Sequence, residues 1–163
     1  MTEEWRQIPD FPIYDVSSLG RIENNQKGRI MRLAVNQRGI VYVGLMKDGV
    51  QLKRSVALLV ASSFLHIPIH ESFDSVIHLD GDRTNCAASN LMWRPHHFTI
   101  NYMRQFTTHP VIYNGALYCP ETEELFANSY DMSVKYGLLL RDIHAAIVNG
   151  HMIWPTKLTV QPS

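Results

Sequence analysis

An α+β fold is predicted by three changes of residue pattern: strand-period alternation around a tight turn in the first third, a continuous apolar run in the middle, and two short helical stretches near the end. Together they describe a small antiparallel sheet, a ββα core, and a C-terminal hairpin with a helix-turn-helix-like module. Domains are expected at 1–54, 55–106 and 110–163.

From Trp5 to Ile22 short apolar segments alternate with Pro, Asp, Ser and Gly, which suits small strands and tight loops. Gly20 supplies a left-handed turn from which Arg21-Ile22 starts a strand. Further on, Val41, Val43 and Leu45 alternate with Tyr42, Gly44 and Met46, and Lys47-Asp48-Gly49 marks a hairpin turn. Arg21, Lys27, Arg29, Arg32, Arg38, Lys47, Lys53 and Arg54 fall on or near this sheet. They are candidate phosphate contacts, with a solvated charged face as the alternative.

The run Ser55 to Leu65 is rich in Ala and Leu and predicts a buried helix. Next comes Val76-Ile77-His78, a turn Asp80-Gly81-Asp82-Arg83-Thr84-Asn85, and a return segment Asn90-Leu91-Met92-Trp93. A strand carrying a histidine and a return strand carrying an asparagine place an imidazole beside an orienting amide. Pro95 fits the first turn of a helix over 96–106, and Thr107 to Pro110 reads as a linker. A hairpin is expected within 110–118, then two helices separated by Gly137, the second closed by Asn149-Gly150. That second helix carries Arg141 as its only permanent cation, so a structural cap or protein-contact module weighs as much as a DNA reader.

The 163 residues are 45% hydrophobic, enough for an ordinary core. Fifteen basic residues balance fifteen acidic ones, but unevenly: the net charge is +3 over 1–54, −1 over 55–110 and −2 over 111–163. Only the first third offers a basic footprint of the kind nucleic acid selects. Cys86 and Cys119 lie far apart without a CxxC partner, which points to packed thiols rather than a zinc ribbon or a disulfide framework. The N-terminal residues lack the basic-then-apolar order of a secretion signal, and a cytoplasmic, soluble protein is expected.

The motif His78-x-Asp80-Gly81-Asp82-x-x-Asn85, followed by Asn90-Leu91-x-Trp93, resembles the HNH motif of phage and intron homing endonucleases. Independently, the order Trp5, Ile8-Pro9, Tyr14-x-Val16-Ser17, Leu19-Gly20-Arg21-Ile22 is similar to the small modular domain that opens many of these enzymes. The resemblance implies a ββα-metal core, phage origin with a bacterial cell as the location, double-stranded DNA as partner, and a divalent ion such as Mg²⁺ as cofactor. It makes His78 the general base and Asn90 the residue that orients it. The two metal-ligand positions fall on Ile77 and Thr99, neither of which suits the role, leaving Asp80 and His96 as substitute ligands. Two functions follow: a metal-dependent DNA-nicking endonuclease, or an inactive HNH-fold protein kept for binding DNA or a protein partner from host or virion.

Overall fold

The computed structural model describes residues 2–163, which form two compact units: the first ends at His96 and the second is His97–Ser163. The first unit opens with an antiparallel sheet of β1 (Trp5–Ile8), β2 (Phe11–Ser17), β3 (Ile22–Asn24) and β4 (Arg29–Ile30) in that order. Between β2 and β3 Gly20 adopts the predicted left-handed conformation, φ 86°. A Cβ there would stand 2.9 Å from Cβ of Cys86, so this turn also needs glycine for close approach to the segment that carries Cys86. The Ser18 carbonyl accepts the Ala88 N–H at 2.8 Å and reinforces that approach.

A second sheet joins β5 (Ala34–Val35), β6 (Val41–Lys47) and β7 (Val50–Ser55). Asp48 and Gly49 both take positive φ, the primed turn that an Asp-Gly pair favours, and Lys47 pairs with Val50 across it. The predicted alternation holds: Val41, Val43 and Leu45 are buried while Tyr42, Gly44 and Met46 are more open. Tyr14, itself buried, links the two sheets by accepting the Met46 N–H at 3.2 Å.

Helix α1 (Val56–Phe64) buries Val56, Ala57, Val60 and Ala61, but Leu58 on its other face is exposed. It is therefore one-sided rather than buried all round. Burying a valine such as Val60 completely contributes roughly 1.5–3 kcal/mol. The core it closes gathers Ile8, Phe11, Val16 and Ile22 with Val43, Leu45, Val60 and Leu91. One core thus spans the 54/55 boundary expected from sequence, because the apolar faces of both sheets pack with α1 and Leu91. Strands β8 (Ser75–His78) and β9 (Leu91–Arg94) then pair antiparallel, His78 opposite Leu91 and Ser75 opposite Arg94.

Helix α2 (His96–Thr108) starts at the boundary between the units and completes the ββα order. It runs through the expected linker residues Thr107 and Thr108, whose hydroxyls donate to the Arg104 carbonyl at 2.9 and 3.2 Å. His109, at φ 46° and next to Pro110, ends it.

In the second unit the hairpin lies later than expected. It pairs β10 (Leu117–Cys119) with β11 (Glu124–Phe126), and Glu123 at φ 56° makes the turn without a glycine. Helices α3 (Ser129–Tyr136) and α4 (Leu140–Asn149) follow, each closed by a left-handed glycine, Gly137 and Gly150, as predicted. Asn128 caps α3 by accepting the Asp131 N–H at 2.9 Å. Strand β12 (Gln161–Pro162) adds to the other edge of β10. Leu117, Met132, Leu138, Ile143 and Ala146 form this unit's core. Cys86 and Cys119 are both free and buried. Among the described residues no helix is long and apolar enough to cross a membrane.

Candidate functional site

His78 ends β8, and the chain leaves the strand through a turn in which the Gly81 N–H donates to the His78 carbonyl at 3.0 Å. Gly81 itself sits at φ 79°, a conformation that favours glycine. His78 is 9% exposed, and its Nε2 is buried with no hydrogen-bond partner. Burial pushes its pKa below the ordinary histidine value; the Asp80 carboxylate opposes this and the Arg83 guanidinium adds to it. The ring is thus neutral at physiological pH, with a nitrogen not committed to the fold. A buried nitrogen left unpaired costs about 1–3 kcal/mol, and such groups call for a functional explanation.

The loop after His78 is held by a closed set of hydrogen bonds. Asn90, buried in a 3-10 turn (Ala88–Asn90), donates from Nδ2 to Asp80 Oδ1 and to the Asn85 carbonyl, both at 2.9 Å, and accepts the Asp80 N–H on Oδ1 at 3.1 Å. Its own carbonyl accepts the Leu79 N–H at 2.8 Å. Asn90 therefore does not orient the imidazole by direct contact, as the sequence reading had it. It pins the two residues that follow His78, so any positioning of the ring passes through the backbone.

Asp80 is equally committed. Its Oδ1 accepts from Asp82 N–H as well as Asn90, and its Oδ2 accepts from Asn85 Nδ2 at 2.7 Å. Asp82 accepts from the Thr84 N–H and hydroxyl at 2.8 and 2.7 Å, and these bonds hold its pKa below the usual carboxylate range. Both carboxylates thus shape the turn.

The expected substitute ligand His96 is not brought to this loop. Its Nδ1 lies 3.3 Å from the Ser75 hydroxyl, at the opposite end of β8. The register puts that end roughly 10 Å along the strand from His78. Ile77 is fully buried and has no donor atom. Thr99 belongs to the second unit. No group of three or more His, Cys, Asp or Glu side chains able to hold a metal occurs among the described residues. The donors of the first unit therefore do not fit a divalent ion beside His78, since such a site needs several oxygens converging at about 2.0–2.6 Å.

The predicted DNA-contacting cations separate into three kinds. Arg21 is braced against the Glu3 carboxylate through Nε and Nη2 and lies over the Trp5 ring. Lys47 and Arg54 both lie over Phe11, and Lys53 lies over Tyr42, so aromatic faces hold these three in place. Lys27, Arg29, Arg32 and Arg38 make no ion pair among the described residues. The reading from sequence missed Arg83. Its Nη1 donates to the Arg38 carbonyl at 3.3 Å, and its stem lies against Gly39, joining the His78 loop to the turn before β6. Its place inside a Gly-Asp-Arg-Thr-Asn turn was the available signal.

Comparison with known proteins agrees with the resemblance read from the motifs. Residues 3–46 match the NUMOD4 motif. Over 102 residues, 63% of this chain, the sequence is 29% identical to a protein of Acanthamoeba polyphaga mimivirus named an uncharacterized HNH endonuclease. The matched part spans about a third of that relative's length, 30%. The fold is similar to that of the HNH homing endonuclease I-HmuI, solved in a study of its DNA binding and cleavage. The TM-score is 0.55 at 21% identity, covering 98% of each chain.

Proposed function

We propose that this chain is an HNH homing-endonuclease-like protein, of phage or intron type, that engages duplex DNA through its first unit and presents His78 as a neutral general base to a phosphodiester. The observation that carries the reading is the imidazole: burial keeps it unprotonated, its Nε2 has no partner, and a fully bonded loop fixes the backbone beside it. A neutral imidazole is the form that accepts a proton from attacking water. The basic first third and the similarity to a named HNH endonuclease support DNA as the partner. The sequence modules 1–54, 55–106 and 110–163 are proposed as inherited pieces, with α3 and α4 as the helix-turn-helix-like one.

A second reading, a fold kept for binding DNA or a protein from host or virion, is favoured by Ile77 at a ligand position and by the committed oxygens of Asp80. Supercoiled plasmid incubated with the full chain and Mg²⁺ or Mn²⁺ separates the two. The nuclease reading expects nicking that falls at least roughly 100-fold in His78→Ala, the contribution typical of a general base. Nicking no greater than that of the variant, with duplex binding intact, leaves the binding reading.

A further inference from the structure

We infer that Arg38 and Arg83 form a phosphate-binding pair that holds a DNA backbone phosphate beside the His78 loop. The inference rests on the DNA reading above and specifies which side chains of that site touch the polyanion. The two residues are 45 apart in sequence, yet Arg83 Nη1 reaches the Arg38 carbonyl at 3.3 Å and its stem packs over Gly39. This contact brings the turn that carries the exposed Arg38 against the Arg83 stem in the loop after His78.

The carboxylates nearest in sequence form no ion pair with them. Both Asp80 oxygens and Asp82 Oδ1 accept from Asn90, Asn85, Thr84 and the loop N–H groups. Neither arginine forms an ion pair among the described residues. Two guanidiniums without ion pairs on adjoining turns, that of Arg38 exposed and that of Arg83 half-buried, match an anion that accepts through several oxygens. Arg83 is also close enough to His78 to oppose protonation of the ring, which places its charge in reach of the same region. A bound phosphate there would meet the developing negative charge with fixed donors.

The test is equilibrium binding of the full chain to a generic 30-base-pair duplex, read by fluorescence anisotropy across a series of NaCl concentrations. Arg83→Gln keeps a donor for the Arg38 carbonyl but removes the charge; Arg83→Lys keeps the charge. Each phosphate neutralised contributes about 0.9 to the slope of log K against log salt. The slope of the Arg38→Gln/Arg83→Gln double variant should therefore be shallower by about 0.9, that of Arg83→Gln by most of this, and that of Arg83→Lys unchanged. A purely structural role for Arg83 would not spare the slope of the lysine variant while reducing that of the glutamine variant. A wild-type slope in Arg83→Gln overturns the pair while leaving DNA binding standing. Salt-independent or absent binding by the wild-type chain overturns both the pair and the DNA reading.

Discussion

In the first unit Lys27, Arg29, Arg32 and Arg38 stand without ion pairs among the described residues, whereas in the second Lys135 and Arg141 are each closed against a carboxylate, Glu124 at 2.6 Å and Asp142 at 3.3 Å. Arg6 and Arg21, paired with Glu4 and Glu3, are exceptions in the first unit; Arg104 and Lys157 are exceptions in the second. Exposed pairs of this sort contribute at most about 1 kcal/mol to stability, so stability is not where the two units diverge. The difference lies in the field each presents. A closed pair offers a polyanion little, while an unpaired cation can exchange its counter-ion for a phosphate.

Polar side chains of both units bond within the fold. In the second unit Ser133 donates to the Leu138 carbonyl at 2.6 Å, and the Glu121 carboxylate accepts from the Thr159 N–H and hydroxyl, which pulls its pKa down to about 2. Those groups are spent on the fold. Around His78 the Asn90 and Asp80 side chains are bonded as well, while the imidazole Nε2 is buried without a partner, as is Thr122 Oγ1 in the second unit.

The comparison breaks most visibly at Asn90. Asn90→Ala removes three side-chain hydrogen bonds that hold Asp80 and Asn85, and a loss of roughly 2 kcal/mol is expected, read by chemical denaturation. An unchanged stability would mean the loop does not depend on this network.

A smaller effect is expected from pH. The folded-state pKa of His78 lies below the unfolded value of 6.5, so the native state binds fewer protons there. Stability from this residue is present above pH 6.5 and is lost as pH falls through the folded pKa. Denaturation curves between pH 7.5 and about 5 should show a decline that is reduced in His78→Gln. Equal declines in both proteins would contradict the burial argument.

The smallest effect belongs to the second unit's closed pairs. Lys135→Ala with Arg141→Ala should cost under about 1 kcal/mol, measured in the same denaturation assay.

Much of the fold was legible from local chemistry. Asp48-Gly49, Gly137 and Gly150 announce left-handed turns, and the alternation at Val41, Val43 and Leu45 identifies the buried face. The hairpin of the second unit was misplaced because its turn uses Glu123, a residue that does not advertise a positive φ. Helix α2 outran its expected end because the Thr107 and Thr108 hydroxyls bond back to the helix.

At the site, His78 and the turn formers were readable as residue types, but the partner of each was not. The Asn90 amide had the loop and the imidazole as possible targets, and only the folded geometry selects the loop. His96, expected as a substitute ligand, lies by Ser75 at the far end of β8 from His78, a placement set by the antiparallel register of β8 and β9. The link between Arg83 and Arg38 is a long-range contact with no local signature.

The most direct test of the contrast between the units compares salt dependence of duplex binding in two variants. Arg29→Ala/Arg32→Ala/Arg38→Ala should reduce the slope of log K against log salt by at least about 1.8, while Lys135→Ala/Arg141→Ala should leave it within experimental error. An undiminished slope in the first variant, or an equal loss in the second, would contradict a DNA-facing first unit.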